Sequence, residues 1–339
     1  MDFTLVYGVA LRSALTHVVV LVGLVSGLTS AAQAEKIVVS NYGVTVNGMP
    51  YAVADALGYF KEEGADVTGI LSSGGGGTTI RNLLGGNHAY AESSLASIVA
   101  AASKGAKLKI ISGNAHTVAE FYWVVMPDSP IKSIKDLKGK RLGFTNPRST
   151  SQAMDVLLLK TLGLKQEDVT LVKTGGFGPM VVALQNGGID VAPVADPVYT
   201  KDKEKYRVLV WAPEVLPAVT NVVGVTTNEA ANTKGDFIRA IIRARRRAVD
   251  YIVANPDEAA KLIAPVYKLD KGVVEEILRK LIASEKKGGV PYWGPGDLRY
   301  GPMDKMIAAQ KEVGAISGDV SWDALVDEAF LPDDLKAKK

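Results

Sequence analysis

The middle of this chain repeats itself at an offset of 102 residues. Residues 66–68 (Asp-Val-Thr) recur at 168–170, and the glycine pair at 85–86 recurs at 187–188, without a gap. A period of this length lies outside the roughly 20–50 residues of solenoid and propeller repeats. The repeat therefore predicts two lobes, each of which contains the same supersecondary unit.

Each copy has the pattern of a strand, a glycine-rich loop, a helix and a second strand. In the first copy we predict strands at 67–71 and 89–91, with a helix that ends at the glycine pair, because glycine adopts the left-handed conformation there without steric cost. In the second copy the predicted strands are 169–173 and 191–194. Strands that alternate with helices predict a parallel, doubly wound sheet in each lobe.

The rest of the chain predicts two crossings between the lobes. Segments 122–125 and 222–226 are apolar, and we interpret them as the two strands of a hinge. The predicted fold class is α/β, with two doubly wound lobes joined by a two-strand hinge. Residues 35–126 and 221–339 are assigned to lobe one, and residues 127–220 to lobe two.

The N-terminus has the pattern of a secretory signal peptide. Arg12 precedes an apolar run at 18–25, and residues 32–34 (Ala-Gln-Ala) match an A-x-A cleavage site. The apolar run is shorter than the roughly 20 residues of a membrane-spanning helix, although an N-terminal membrane anchor is the alternative interpretation. We therefore predict that residues 1–34 are a cleaved signal peptide and that the mature protein is exported to the periplasm.

Composition and missing motifs exclude several classes of protein. The chain has no Cys and three His, so it forms no disulfide, and a zinc site is not expected. The net charge of +3 is too small to indicate a nucleic-acid partner. The H-E-x-x-H, G-x-S-x-G, Walker A and G-x-G-x-x-G motifs are missing from the sequence. We predict no catalytic residues, no cofactor and no metal, and expect a binding protein rather than an enzyme.

Several short segments follow one another in a characteristic order. They are Pro50 with Gly58-Tyr59-Phe60-Lys61, Gly85-Gly86-x-His88, the segment 134–141, Gly187-Gly188-Ile189-Asp190, Asn255-Pro256-Asp257 and Leu325-Val326-Asp327. In this order the chain resembles the periplasmic substrate-binding proteins of ABC importers, in the nitrate/sulfonate/taurine-type branch that thiamine-precursor binders share. It departs from the family pattern at His88, where Asp is usual.

The resemblance implies a type II periplasmic-binding-protein fold and a function in transport. The implied ligand is a small organic anion, a sulfonate or a carboxylate, including aromatic ones. A neutral heterocycle such as a thiamine precursor is the alternative ligand, and an exported enzyme on the same fold is the alternative of another class. The implied partner is an ABC permease in the inner membrane, and we expect a monomer.

Candidate ligand-binding residues follow from the topology. In open parallel sheets ligands bind beyond the carboxyl ends of the strands, where helix N-termini also supply free N–H groups. The candidates are Asn47, Met49, Ser72, Ser73, Gly75, Gly76, Ser93, Ser94, His116, Arg148, Ser149, Thr150, Gly176, Phe177 and Asp196. Arg148 suits an anion, because a guanidinium holds a carboxylate or sulfonate with two hydrogen bonds. Helix capping is the alternative role of the serines and threonines, and core packing that of Met49 and Phe177.

Overall fold

The computed structural model describes residues 34–147 and 149–337. Residues 1–33 of the predicted signal peptide and the candidate Arg148 lie outside the described residues. Across the described part of the chain, no helix combines the length and the apolar character needed to cross a bilayer.

Strands and helices alternate through most of the chain. The strands are β1 (Glu35–Ser40), β2 (Val67–Ser73), β3 (Ala91–Ser94), β4 (Leu108–Ala115), β5 (Phe121–Val125), β6 (Arg141–Phe144), β7 (Thr170–Lys173), β8 (Ala192–Ala195), β9 (Arg207–Trp211), β10 (Val222–Thr227) and β11 (Trp293–Gly296). The helices are α1 (Met49–Ala56), α2 (Tyr59–Glu62), α3 (Gly76–Gly85), α4 (Leu95–Ala102), α5 (Thr150–Thr161), α6 (Phe177–Gln185), α7 (Val198–Lys201), α8 (Ala212–Val215), α9 (Asn228–Thr233), α10 (Gly235–Ala254), α11 (Pro256–Tyr267), α12 (Lys271–Gly288), α13 (Tyr300–Glu312) and α14 (Trp322–Leu325).

The first sheet has the strand order β11-β4-β10-β3-β1-β2. Strand β1 is parallel to both of its neighbours, and its run Ile37, Val38 and Val39 is completely buried. A continuous β-branched run is typical of a strand covered on both faces. Strand β10 pairs antiparallel between β3 and β4, so the segment 222–226, predicted as the second hinge strand, lies inside this sheet.

The second sheet is built around β5. This strand pairs antiparallel with β8 on one side and β9 on the other, and a bridge between Leu142 and Val191 joins the parallel pair β6 and β7 to β8. The interpretation of 122–125 as a hinge strand was therefore wrong. All five residues of β5 are buried, and such a strand needs partners on both edges and cover on both faces. The assignment of residues to two lobes stays a prediction. Because β5 belongs to the second sheet, the chain passes from the first sheet to the second before β5 and not after it.

The repeated unit occurs in both sheets with small differences from the predicted bounds. Helices α3 and α6 both follow a glycine N-cap, Gly75 and Gly176, and the second strands begin at Ala91 and Ala192. The left-handed residue after the second helix is Gly187, with φ 69°, as the glycine pair predicts. After the first helix the left-handed residue is Asn87, with φ 52°, whereas Gly86 of the glycine pair has a φ of −95°.

The C-terminal helices pack around both sheets. Helix α10 lies against α1 and β11, whereas α13 lies between α4 and α5. Helix α12 packs on α11 and also contacts α7 and α8, next to the second sheet. Its buried residues Val274, Ile277, Leu278 and Leu281 follow helical spacing and form its apolar face.

A close approach of three strands makes Gly224 a sensitive position. A Cβ at Gly224 would overlap the Ser112 hydroxyl and lie 2.8 Å from the Tyr90 hydroxyl oxygen. We predict that Gly224→Ala lowers the free energy of unfolding by about 1–3 kcal/mol, the usual cost of overpacking. Gly272→Ala, at a helical position with open space, is the matched control. Urea unfolding measures both variants, and equal stabilities would contradict the packing argument.

Candidate functional site

A cavity of about 670 Å³ lies between the carboxyl ends of the two sheets. Its walls come from the segments that follow β1, β2 and β3 in the first sheet and β6, β7 and β8 in the second. This is the place that the strand topology predicts for a ligand. The volume is within the range of sites for small organic molecules, roughly 300–1,000 Å³.

Helix N-termini surround the cavity. Helix α4 is capped by Ser94, whose Oγ accepts a hydrogen bond from the Ser97 N–H at 3.4 Å, and α5 is capped by Ser149, whose Oγ accepts from the Gln152 N–H at 3.2 Å. Gly75 and Gly176 precede α3 and α6. The first N–H groups of a helix have no intrahelical acceptor, so these ends give the cavity a partial positive charge.

Most of the predicted site residues line this cavity. They are Asn47, Gly75, Gly76, Ser94, Ser149, Thr150, Gly176, Phe177 and Asp196. Five other candidates do not line it: Met49, Ser72, Ser73, Ser93 and His116. Whether any of the nine lining residues contacts a ligand stays a prediction, and so does the ligand contact of Arg148.

The serines outside the cavity have hydrogen-bond partners in the turn after β1 and in α3. Ser72 Oγ donates to the Tyr42 carbonyl at 2.8 Å, and the hydroxyls of Ser73 and Thr79 are 2.6 Å apart. The buried Ser93 Oγ donates to the Gly76 carbonyl at 3.4 Å. These hydrogen bonds hold the segment between β2 and α3 in place behind the cavity wall.

Met49 and His116 are core residues. Met49 begins α1 and is completely buried. The ring of His116 is also buried, and its Nε2 lies 2.9 Å from Asp297 Oδ1. Burial lowers the pKa of His116, although the Asp297 carboxylate acts in the opposite direction. His116 therefore contributes to packing beside β11, not to the cavity wall.

The glycines of the loop before α3 are needed for its own geometry. Gly75 has a φ of 97°, which disfavours any residue with a Cβ. A Cβ at Gly76 would overlap the side chain of Ser97 in α4. A valine at either position would disturb the protein without a ligand, so neither tests the ligand contact. Gly77 also lines the cavity, and a Cβ there would have room, because it would lie 3.8 Å from a guanidinium nitrogen of Arg81.

Glu120 is a cavity residue that the sequence analysis missed. It lies between β4 and β5, away from any strand end of the repeat, and its side chain is buried. Glu120 Oε1 accepts a hydrogen bond from Asn221 Nδ2 at 3.1 Å, and the buried side chain of Tyr292 also interacts with the Glu120 carboxyl group. Burial raises the pKa of Glu120 to about 8, with a further contribution from the charge of Asp196. An acidic residue within the apolar segment 118–125 is the sequence signal that indicates it.

Asp196 is the second buried carboxylate of the cavity. Its Oδ1 accepts hydrogen bonds from the Thr200 hydroxyl at 2.6 Å and from the Thr200 N–H at 3.1 Å. Its Oδ2 accepts from the Tyr122 hydroxyl at 3.3 Å. Burial raises the pKa of Asp196, and these hydrogen bonds act against that rise. The Asp196 N–H donates to the Glu120 carbonyl at 2.9 Å, so the two acidic residues are held next to each other.

Asn221 links residues on both sides of the cavity. Besides its bond to Glu120, it accepts a hydrogen bond from Thr150 Oγ1 at 3.2 Å, through Oδ1. Thr150 begins α5 beside the second sheet, whereas Asn221 directly precedes β10 of the first.

The rings of Phe121 and Phe177, with centroids 6.0 Å apart, add an apolar wall. Within residues 34–147 and 149–337, no group of His, Cys, Asp and Glu is arranged to hold a metal ion.

The raised pKa of Glu120 predicts a pH-dependent stability. Because the folded pKa is about 8 and the ordinary value is 4.5, this residue's contribution to stability is lost as pH rises between those values. We predict that Glu120→Gln reduces the fall in unfolding free energy between pH 5 and pH 8 by about 1–4 kcal/mol. Urea unfolding of the ligand-free protein at the two pH values measures it. Glu167→Gln, at an exposed position, is the control, and an equal fall in both variants would contradict the prediction.

Two β-sheets with flanking helices that face each other across a cavity define the periplasmic-binding-protein fold. The chain belongs to the NMT1/THI5-like family, whose model matches residues 45–259. The predicted fold class and the resemblance to the nitrate/sulfonate/taurine-type branch are therefore confirmed. Several structural neighbours are named as periplasmic binding proteins, and one of them as part of a sulfonate ABC transporter.

Individual relatives are distant. The riboflavin-binding protein RibY of Chloroflexus aurantiacus is 25% identical over 236 residues, which are 66% of this chain and 63% of RibY. The chain aligns with less than two thirds of the length of its curated relatives. For a protein of Brucella abortus that is named as a binding protein, the alignment covers 48% of that protein's length.

Solved structures share the fold. The periplasmic aliphatic sulphonate binding protein SsuA from Escherichia coli superposes with a TM-score of 0.68 at 18% identity, over 82% of this chain and 85% of SsuA. The periplasmic nitrate-binding protein NrtA from Synechocystis PCC 6803 gives a TM-score of 0.63 at 12% identity, over 88% of this chain and 87% of NrtA. Matches at these identities establish the fold and not the ligand.

Proposed function

We propose that this chain is the solute-binding component of an ABC importer. It is exported by a cleaved signal peptide at residues 1–34, captures a small solute in the periplasm as a monomer, and delivers it to a permease in the inner membrane. The observation that best supports this proposal is the cavity, whose walls come from segments after the strands of both sheets. A ligand that contacts both sides favours the closed arrangement, since only that arrangement makes all the contacts.

The buried carboxylates favour a ligand that donates hydrogen bonds or carries a positive charge. Glu120 and Asp196 both reach the cavity, and a desolvated carboxylate gains most from a charged or donating partner. The phenyl rings of Phe121 and Phe177 suit a flat heterocycle beside that group. An aminoheterocycle of the thiamine-precursor kind combines both features, and RibY carries the name of a heterocycle binder.

A small organic anion is the second candidate ligand. Four helix N-termini at the cavity and the guanidinium of Arg81 at its wall favour negative charge, and the predicted role of Arg148 adds to them. SsuA and NrtA carry the names of sulphonate and nitrate binders. The two candidates depend on different residues, so substitutions separate them.

A thermal-shift screen with matched variants distinguishes the ligands. The probes are 4-amino-5-hydroxymethyl-2-methylpyrimidine, thiamine, riboflavin, taurine and benzenesulfonate. We predict that the aminopyrimidine stabilises the protein by about 2.7 kcal/mol at 100 times its dissociation constant. Asp196→Asn removes this gain, whereas Arg148→Ala and the exposed control Asp128→Asn keep it. A sulfonate that stabilises the protein, with a gain lost in Arg148→Ala, would instead establish the anion.

Closure of the cavity is the expected consequence of binding. We predict that the radius of gyration from small-angle X-ray scattering falls when the stabilising probe is added at saturation, because the two sides approach each other. Mass spectrometry of the probe released by denaturation should return it intact. An unchanged radius at saturation would contradict a closing cleft, and a chemically altered probe would support the alternative of an exported enzyme.

A further inference from the structure

Helix α12 reaches from the C-terminal helices to the back of the cavity wall. Its apolar face packs on α11, whereas its charged face lies against residues next to the second sheet. Glu276 of α12 forms an ion pair with Lys203 at 2.7 Å, and Lys287 forms one with Glu214 at 2.8 Å. Between these two ion pairs lies Lys280, which is on the same face as Lys287 because the two are seven residues apart.

Lys280 contacts residues that lie behind the cavity wall, next to Asp196. Its Nζ donates to Thr200 Oγ1 at 3.2 Å. The same atom lies 5.4 Å from the ring centroid of Tyr122 and 5.0 Å from that of Tyr199, and these two rings are stacked with their centroids 4.1 Å apart. Both distances are within the range of cation–π attraction. The side chain of Lys280 is 29% exposed, so its charge is only partly screened by water.

The residues that Lys280 contacts are the hydrogen-bond donors of Asp196. Thr200 donates to Asp196 Oδ1, and Tyr122 donates to Oδ2. A hydroxyl group has a single hydrogen, and Thr200 uses it on the carboxylate while its oxygen accepts from Lys280. Accepting from an ammonium polarises this hydroxyl and strengthens the bond that it donates. Lys280 therefore acts on Asp196 through one intervening residue.

The titratable groups that surround Asp196 are acidic, apart from Lys280. Glu120 faces Asp196 from the connection before β5, Tyr122 from β5, Tyr199 from α7, and Glu276 lies beside Lys280 on α12. All of these groups are acidic. Glu276 forms ion pairs with both Lys280, at 3.0 Å, and Lys203, at 2.7 Å. Among the described residues around Asp196, Lys280 is the positive charge that acts on its carboxylate.

We propose that Lys280 is a positioning residue of the cavity, which orients Asp196 through Thr200 and Tyr122 and keeps its carboxylate charged toward the ligand. This inference rests on the proposed function only in giving Asp196 a ligand to bind. The contact between Lys280 and the donors of Asp196 is present without one.

The test is a carboxyl ¹³C NMR titration of Asp196 in the ligand-free protein, assigned with Asp196→Asn. Lys280→Met keeps the length of the side chain and removes its charge, and we expect the pKa of Asp196 to rise above the wild-type value. Lys280→Arg retains the charge and should return the pKa toward wild type. Lys287→Met is the matched control, because Lys287 makes the same kind of contact, 5.1 Å from the ring centroid of Trp211, without touching a donor of Asp196. It should leave the pKa of Asp196 unchanged.

A second measurement uses the aminopyrimidine probe. We expect Lys280→Met to weaken its binding about threefold to tenfold at pH 6, with a smaller loss at pH 8, because a higher pH ionises Asp196 again. An unchanged pKa of Asp196 in Lys280→Met, or an equal rise in Lys287→Met, would overturn the proposal. Since the titration needs no ligand, failure of the aminopyrimidine to bind would count against the proposed ligand and not against the role of Lys280.

Discussion

Each sheet of this protein is completed by a strand that enters it antiparallel after a crossing of the chain. Strand β5 is central to the second sheet, and β10 lies between β3 and β4 of the first. Hydrogen bonds on both edges hold each inserted strand, so neither sheet is complete until the chain has crossed. The crossings also bring Glu120 and Asn221 to the floor of the cavity, because these residues directly precede the two inserted strands.

The cavity combines two opposite electrostatic features. Helix N-termini around it favour negative charge, whereas two buried acidic side chains, Glu120 and Asp196, lie next to each other in its wall. Burial of carboxylates costs free energy, and here burial raises the pKa of both Glu120 and Asp196. A solute with a donating or cationic group recovers part of that cost on binding. Acidic groups with perturbed pKa values in a cleft are typical of functional sites.

Support for the site comes from groups that do not touch it. Asn47 lines the cavity, and its amide donates to the buried Glu92 at 2.8 Å. Glu92 in turn lies 3.5 Å from the buried guanidinium of Arg245, which donates to two backbone carbonyls. Such a network holds the amide of Asn47 in one orientation. On the opposite side, Thr200 and Tyr122 do the same for Asp196.

The sequence by itself determined the repeated unit and the cavity residues that belong to it. Glycine N-caps, serine caps and strand ends are local features. Gly75, Ser94, Gly176, Phe177 and Asp196 could therefore be placed at the cavity from the repeat, and Ser149 and Thr150 from their place between a strand end and a helix start. The tertiary structure decided which strand belongs to which sheet, and therefore corrected β5 from a hinge to a sheet centre. It also decided that His116 faces Asp297, more than 150 positions along the chain, and that Glu120 meets Asn221. Periodicity and caps report on neighbours within a few residues, whereas these contacts depend on pairing between segments about 100 residues apart or more, which local pattern does not specify.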